Sequence, residues 1–267
     1  YLKMLDIIKD VVVMVTGTNI KPFDTNHKEC EATWIPILRE IGFRVIVAVG
    51  NPEIDARGKK TSDDFTNYFE FIDEDTIKFN TFDKKPGLFD KSINLPAKWV
   101  LEETNYKYYF RIDSDSFVAP FRFYYMLKDN FRDFPDLDYL GCCHPWLGWN
   151  PHNVHRQLIC REGHFAAGCG YMVSRRAMKI ALDKMKIVQP NEFEADDWVL
   201  GRAMWENQVP LTHDSRILFE SKHKPLAADP HNIGLPYIGD THSHLAIQHY
   251  MNGYMEEAMI TLGYRNN

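Results

Sequence analysis

Two mainly apolar segments near the start of the chain restrict the fold classes that the chain can adopt. Residues 10–16 (DVVVMVT) and 43–49 (FRVIVAV) are rich in β-branched side chains and have the length of strands that are buried on both faces. A helix is predicted between them over 33–41, with Pro36 in its first turn. Strand, helix and strand in this order form a βαβ unit, so we expect an α/β fold with parallel strands.

The pattern of strands and helices continues along the chain and becomes irregular in the second half. Further strands are predicted over 76–81, 107–113, 139–143 and 168–173. Helices are predicted over 95–104, after Ser174, over 197–207 and over 254–260. Loop or irregular structure is predicted over 53–75, 114–138 and 144–155. No internal repeat or linker divides the chain, which indicates one α/β domain.

Composition and charge exclude several classes of protein. With 45% hydrophobic and 25% charged residues, the chain is neither disordered nor fibrous. Its apolar runs are far shorter than the ~20 residues of a membrane-spanning helix. The net charge is −6 and no block of like charges occurs, so nucleic acid is not an expected partner. The five cysteines lack C-x-x-C spacing, which indicates neither a zinc ribbon nor a full disulfide framework.

Two carboxylates stand at the end of the predicted strand 107–113. In the segment YYFRIDSD, Asp113 and Asp115 are separated by Ser114. On an extended chain, side chains at i and i+2 point the same way, so both could address one divalent cation, or a cation and a sugar hydroxyl. A solvated turn is the alternative. The position favours a site, because α/β sheets bind ligands at the ends of their strands.

Four segments, in the right order, resemble the GT-A fold glycosyltransferases, and most closely the β-1,3-glycosyltransferase and Fringe group. They are Ala32-Thr33-Trp34, Trp99–Val118, Ala167–Arg175 and Asp196–Gly201. Ser114 departs from the pattern, since the group has an acid there, and we expect no counterpart of the group's N-terminal anchor within residues 1–267. The resemblance implies a GT-A fold in a single domain, 1–267. Its Rossmann-like nucleotide-binding half would be 1–118, and a loop-rich acceptor and catalytic half, 119–267, would share a mixed central sheet.

The implied activity is the metal-dependent transfer of a sugar from a UDP-sugar to a hydroxyl of a glycan acceptor, with inversion. Mn²⁺ or Mg²⁺ would be bound by Asp115, together with Asp113 and a C-terminal histidine. The histidine candidates are His244 and His242, followed by His223. The compartment would be the Golgi or secretory lumen if an anchor precedes Tyr1, and otherwise the cytoplasm.

The donor would contact residues from three segments, at the ends of predicted strands and in a glycine-rich stretch. Thr16 and Gly17, which end the first strand, would contact the nucleotide. Asp113 and Ser114 would orient the ribose or the donor sugar. Gly168 and Gly170 would let the backbone approach the sugar, although a tight turn into a strand explains such glycines equally well.

Asp196 and Asp197 open a predicted helix, which by itself predicts helix capping and a favourable interaction with the helix dipole. We expect a carboxylate at that position to stay ionised at neutral pH, the state that a general base needs. The resemblance implies that the second acid, Asp197, deprotonates the acceptor hydroxyl, with Asp196 in reserve.

Several alternatives stay open. Trp146 and Trp149 are candidates for the acceptor side, where indole faces suit sugars, but tryptophans in irregular segments are often core residues. The run YKYYFR before the acids suggests a retaining enzyme of the mannosyltransferase type. A zinc hydrolase using His242, His244 and His249, or a non-catalytic glycan-binding domain, would belong to other classes.

Overall fold

The structure is a computed structural model. It describes residues 7–20, 25–54, 67–83, 89–143, 156–158, 165–185, 195–218, 247–248 and 259. The predicted irregular segment 144–155 lies outside these residues, and so does the predicted helix over 254–260 apart from Met259. None of the described helices is long and apolar enough to cross a bilayer.

The described elements alternate between strands and helices, as the apolar pattern predicts. The strands are β1 Val11–Thr16, β2 Arg44–Gly50, β3 Phe69–Phe71, β4 Thr76–Phe79, β5 Tyr108–Asp113, β6 Phe117–Val118, β7 Tyr139–Cys143, β8 Arg156–Leu158, β9 Ala166–Ser174, β10 Leu211–His213, β11 Ile217–Leu218 and β12 Ile247–Gln248. The helices are α1 Asn26–Ala32, α2 Ile35–Ile41, α3 Leu95–Glu103, α4 Pro120–Asp133, α5 Arg175–Met185 and α6 Asp196–Glu206, and a π-helical turn, Asp90–Asn94, precedes α3.

Among the described residues, nine strands form one mixed sheet in the order β3-β4-β2-β1-β5-β9-β7-β10-β8. Strands β4, β2, β1 and β5 are neighbours and parallel, which is the arrangement of a Rossmann-like half. Strand β9 runs antiparallel to both of its neighbours, β5 and β7. A smaller sheet has the order β11-β12-β6. The predicted α/β class with a mixed central sheet is therefore confirmed.

Helices cover both faces of the large sheet, so alternate residues of its strands enter two separate cores. Val11, Val13 and Val15 of β1 pack in one core, and Val12 and Met14 pack in the other. All of these side chains are fully buried, and burial of an aliphatic side chain of this size contributes about 1.5–3 kcal/mol. Burial on both faces is why this strand reads as a continuous apolar run.

Parallel strands bring their carboxyl ends to one edge of the sheet, which we call the carboxyl edge. It is formed by the last residues of β1, β2, β4 and β5. Thr16 is the register neighbour of Asp113 at the ends of β1 and β5. Because β9 is antiparallel, its early residues lie at the same edge, with Gly170 opposite Ile112 of β5. Two of the segments that the sequence resemblance singles out, Trp99–Val118 and Ala167–Arg175, thus meet at this edge.

The largest disagreement with the sequence prediction is α4, which occupies residues predicted as loop. Pro120 begins this helix, where a missing N–H is tolerated, and Phe123, Leu127 and Asn130 are buried at helical spacing. Phe121 and Tyr125 are 52% and 55% exposed, so aromatic residues on the outer face obscured the periodicity.

Other boundaries differ by a few residues. The predicted helix 33–41 begins at Ile35, because Thr33 is the C-cap residue of α1, where its N–H donates to the Cys30 carbonyl at 3.2 Å. Strand β3 lies in the predicted loop 53–75. Asn94 occupies the N-cap position of α3, makes no side-chain capping hydrogen bond and is the last residue of the π-helical turn. Ser174 does cap α5, since its Oγ accepts a hydrogen bond from the Ala177 N–H at 3.2 Å.

Candidate active site

A buried arginine joins the end of β5 to the start of α6. The side chain of Arg111 is 2% exposed, and its Nη2 lies 2.6 Å from Asp113 Oδ1 and 3.1 Å from Asp196 Oδ2. Its Nη1 donates to the Gly168 carbonyl of β9. Burial alone would lower the pKa of Arg111, but Asp113 and Asp196 outweigh it and raise the pKa above the ordinary value. Three separate chain segments are therefore held by one guanidinium.

Asp197 is hydrogen-bonded to Gly168 of β9, the residue that Arg111 also contacts. Its Oδ2 accepts a hydrogen bond from the Gly168 N–H at 2.9 Å, and its Oδ1 accepts one from the Trp198 N–H at 2.8 Å. Asp196 and Asp197 are the first two residues of α6, and the N-cap residue is Ala195, so neither aspartate occupies the N-cap position. We call Arg111, Asp113, Asp196 and Asp197 the carboxylate cluster.

The ionisation of Asp197 differs from the expectation for a helix start. Burial, followed by the charges of Asp196 and Asp113, raises its pKa to about 7. Arg111, whose effect is larger than that of Asp113, and the Trp198 N–H lower the pKa, but burial and the two carboxylates together outweigh them. The expectation of a fully ionised carboxylate at neutral pH is wrong, because desolvation and like charges outweigh the helix dipole at this position. A carboxylate with this pKa can accept or release a proton near pH 7.

Gly168 is required by close packing within the carboxylate cluster. A Cβ atom at this position would lie 2.8 Å from Arg111 Nη1 and 3.1 Å from Asp113 Oδ2. Gly170 has other surroundings: a Cβ there would lie 3.0 Å from Ile247 Cδ1 and 3.3 Å from Phe110 Cε1. Because these side chains belong to the core on the opposite face of the sheet, packing accounts for Gly170, and the predicted donor contact at this glycine gains no support.

The chain turns directly after β5, which changes the expected geometry of the two acids. The Ser116 N–H donates to the Asp113 carbonyl at 3.0 Å, and Ser114 and Asp115 form the turn. Buried Ser114 accepts a hydrogen bond from Cys30 Sγ through its carbonyl, at 3.1 Å. Burial, Glu29 and Asp115 raise the pKa of Cys30. The premise of an extended chain from Asp113 to Asp115 is thus wrong, and a common cation for the two acids stays a prediction.

The predicted metal ligands are only partly described. Carboxylate oxygens such as those of Asp113 and Asp115 are hard ligands that suit Mg²⁺ or Mn²⁺ better than Zn²⁺. Among the described residues, no group of three or more His, Cys, Asp and Glu side chains could hold a metal ion. The candidate third ligands His242, His244 and His223, and the acceptor candidates Trp146 and Trp149, lie outside the described residues.

The end of β1 presents a polar group that the described residues leave unsatisfied. Thr16 is buried and neighbours Asp113 in the sheet, and its Oγ1 has no hydrogen-bond partner in the described part of the chain. Thr16 shares its strand face with Val12 and Met14, the face on which Tyr109 lies in β5. An unpaired buried hydroxyl costs about 1–3 kcal/mol, a cost that a bound ligand would remove.

Gly17, also predicted to contact the nucleotide, forms hydrogen bonds through both its backbone N–H and its backbone carbonyl. Its N–H donates to the Ala48 carbonyl at 2.8 Å, and its carbonyl accepts from Lys91 Nζ at 2.7 Å. Lys91 is buried together with Asp83, whose Oδ1 lies 2.6 Å from Nζ. Burial lowers the pKa of Lys91, and Asp83 opposes this shift.

Sequence reasoning missed four residues of this edge, Arg111, Lys91, Asp83 and Trp198. The only available signal for Arg111 is its position two residues before Asp113 in an otherwise apolar and aromatic strand. Lys91 and Asp83 carry no such signal, because a charged residue in a polar stretch is ordinarily solvated. Trp198 is 39% exposed, directly after Asp197, and its ring packs edge-on to Phe165 with centroids 5.5 Å apart.

No family profile and no curated protein matches the sequence. Solved structures similar to this chain include CMP:2-keto-3-deoxy-manno-octonic acid synthetase complexed with CTP. The two sequences are 12% identical, the match covers 76% of this chain and 88% of that chain, and the TM-score is 0.44. Another is the inositol-1-phosphate CTP transferase from T. maritima, at 12% identity over 77% and 84%, TM-score 0.42. A third is a glycosyltransferase involved in the glycosylation of the major capsid of PBCV-1, at 10% identity over 78% and 84%, TM-score 0.44.

Proposed function

We propose that this chain is a metal-dependent GT-A-like glycosyltransferase that moves a sugar from a UDP-sugar to a hydroxyl of a glycan acceptor. The observation that carries the proposal is the meeting of Asp113 and Asp197 around Gly168 at the carboxyl edge. These residues come from three of the four segments on which the sequence resemblance rests. The same four segments are the basis for placing the chain nearest the β-1,3-glycosyltransferase and Fringe group.

The donor would bind across the ends of β1 and β5. The unsatisfied hydroxyl of Thr16 lies beside Asp113, so a ligand hydroxyl could bridge the two side chains. Arg111 Nη2 lies 2.6 Å from Asp113 Oδ1 and holds the Asp113 carboxylate in one orientation. In that orientation, the carboxylate could bind the ribose or the donor sugar. When bound, Mn²⁺ or Mg²⁺ on Asp115, Asp113 and His242 or His244 would offset the charge that develops on the departing diphosphate.

Asp197 would take the proton from the acceptor hydroxyl. Its pKa of about 7 gives it both a substantial ionised fraction at neutral pH and enough basicity to accept a proton. Asp196 is less suited to this role, because its carboxylate pairs with the buried Arg111. The acceptor oxygen that loses its proton to Asp197 would then attack the anomeric carbon from the side opposite the diphosphate, which leaves as the new bond forms, so the product would have the inverted configuration.

The exposed ring of Trp198 would receive the acceptor. Aromatic faces bind the apolar C–H face of sugars, and Trp198 directly follows the aspartate that would deprotonate the acceptor in α6. Phe165 packs against the ring and limits its freedom. Trp146 and Trp149 remain further candidates for the acceptor side.

The test is a panel of nucleotides and nucleotide sugars, assayed by thermal shift and by hydrolysis, with Mn²⁺ or with EDTA. We expect UDP to raise the melting temperature with Mn²⁺, and one UDP-sugar to be hydrolysed slowly without an acceptor. Stabilisation by CTP but not by UDP would contradict the proposal and indicate nucleotidyl transfer instead. Tight stoichiometric zinc, with no response to any nucleotide, would favour a hydrolase.

A further inference from the structure

A buried ion pair outside the carboxylate cluster lies at the carboxyl edge. Lys91 Nζ is 2.6 Å from Asp83 Oδ1, and the two side chains are 2% and 0% exposed. Lys91 comes from the π-helical turn before α3, and Asp83 follows β4 by four residues. Neither residue has a role in the chemistry proposed above.

The pair binds the backbone at the ends of two parallel strands. Asp83 Oδ1 accepts the Gly50 N–H of β2 at 2.9 Å, and Lys91 Nζ donates to the Gly17 carbonyl after β1 at 2.7 Å. Gly50 has no room for a side chain, because a Cβ there would lie 2.7 Å from the Cα of Asp83. The segment that carries Asp83 is therefore packed directly onto the end of β2.

The second carboxylate oxygen of Asp83 fixes the segment that follows β1. Its Oδ2 accepts the Asn19 N–H at 2.7 Å and the Thr18 hydroxyl at 3.0 Å. The Thr18 hydroxyl oxygen in turn accepts the Ile20 N–H at 3.1 Å. Thr18 is half-buried and Asn19 exposed, so this segment, residues 17–20, presents its outer side at the edge beside Thr16.

A buried ion pair is a poor way to gain stability, because the cost of removing two charges from water offsets most of their attraction. An apolar pair of the same volume would stabilise the fold as well. An apolar pair could not accept hydrogen bonds from two backbone N–H groups and a hydroxyl, nor donate a hydrogen bond to a carbonyl. The property particular to Asp83 and Lys91 is therefore that they fix the shape of residues 17–20.

We infer that Asp83 and Lys91 are positioning residues that hold residues 17–20 in the shape that receives the nucleoside part of the donor. The inference rests on the proposed function. Both side chains act through the backbone and need not touch the donor, since their described polar contacts are to protein groups. Loss of the pair should therefore weaken nucleotide binding much more than the rate at saturating donor.

The experiment compares Asp83→Asn with Asp214→Asn by calorimetric titration of UDP in the presence of Mn²⁺. Asp214 is the matched control because its side chain is also fully buried and paired, with Arg216 at 2.7 Å and Asn130 at 2.6 Å, after β10. An asparagine at position 83 has only one acceptor oxygen, so it cannot accept from Lys91 and the Gly50 N–H on one side and from Thr18 and the Asn19 N–H on the other, and one half of the anchor is lost. We expect the Kd for UDP to rise about 10- to 100-fold in Asp83→Asn and to stay within about twofold in Asp214→Asn.

Kinetics at varied donor concentration separates positioning from a general loss of structure. The KM for the donor should rise with the Kd, whereas kcat and the acceptor KM stay close to wild type. Equal UDP affinity in Asp83→Asn and wild type, with a lowered melting temperature, would overturn the inference and leave the pair purely structural. Failure of the wild type to bind any nucleoside diphosphate would overturn the proposed function and the inference together.

A milder variant keeps the inference testable if Asp83→Asn does not fold. Thr18→Val preserves the shape of the side chain and removes the hydroxyl that donates to Asp83 Oδ2. We expect a threefold to tenfold rise in the Kd for UDP, roughly the effect of one hydrogen bond. An unchanged Kd in a folded Thr18→Val protein would contradict the inference.

Discussion

Replacing Arg111 with methionine removes the guanidinium that holds the carboxylate cluster together. Asp113 and Asp196 lie within 2.6 and 3.1 Å of it, and both would lose their cation in a largely buried environment. Removing one partner of a buried ion pair costs about 3–5 kcal/mol, because the other charge stays desolvated. For a chain of this length, that loss corresponds to a fall in melting temperature of roughly 6–20 °C.

The loss should depend on pH, because Arg111 lowers the pKa of the nearby Asp197, and without Arg111 that carboxylate takes up a proton at a higher pH. The native variant then binds more protons than the wild type at mildly acidic pH, so the stability difference grows as the pH rises. Urea unfolding of both proteins at pH 5 and pH 8 measures this difference. Arg132→Met is the control, because Arg132 is 66% exposed where it pairs with Asp129 and Asp133, and an exposed pair contributes little. Equal effects of the two substitutions, or a loss that does not change with pH, would refute the reasoning.

Three further predictions concern the packing, the metal and the acceptor. Gly168→Ala should lower the free energy of unfolding by about 1–3 kcal/mol and reduce turnover, because the new Cβ would lie 2.8 Å from Arg111 Nη1. Urea unfolding and initial rates measure the two effects, and unchanged rates would contradict the prediction. Asp115→Ala should abolish the Mn²⁺-dependent part of the thermal stabilisation by UDP, and equal stabilisation of the wild type in EDTA would contradict a metal bridge. Trp198→Ala should raise the acceptor KM about threefold to tenfold without changing the Kd for UDP. Phe71→Ala is the control, because Phe71 is an exposed aromatic residue in strand β3, and it should change neither the acceptor KM nor the Kd for UDP.

The sequence was sufficient for those elements in which local pattern and tertiary environment agree. Strand β1 is predicted correctly because both of its faces are buried, so its residues are uniformly apolar and β-branched. Strand β7 is predicted with the bounds that the structure gives it. Helix α4 is missed because its exposed face carries Phe121 and Tyr125, which removes the contrast on which amphipathic periodicity depends.

Three residues of the candidate site were predictable from the sequence, but its electrostatics were not. Asp113, Gly168 and Asp197 come from motifs that the sequence displays, and the strand order brings them together. The pKa of Asp197 depends on burial and on the charges of Asp196 and Asp113, which are properties of the folded chain. In the sequence, Arg111 alternates with the apolar residues Phe110 and Ile112, which is typical of a solvated side chain, and only the helices that cover its face of the sheet bury it.

The central claim is that Asp197 is the base that deprotonates the acceptor, and the pH dependence of its removal tests this most directly. In the wild type, kcat/KM for the acceptor should fall below about pH 7 as Asp197 becomes protonated. Asp197→Asn should lower turnover by about 10²- to 10⁴-fold, remove this acid limb and leave the Kd for UDP nearly unchanged. Glu206→Gln, at the other end of α6, should match the wild type in all three measurements. A folded Asp197→Asn protein with near-normal turnover, or with the acid limb intact, would contradict the account.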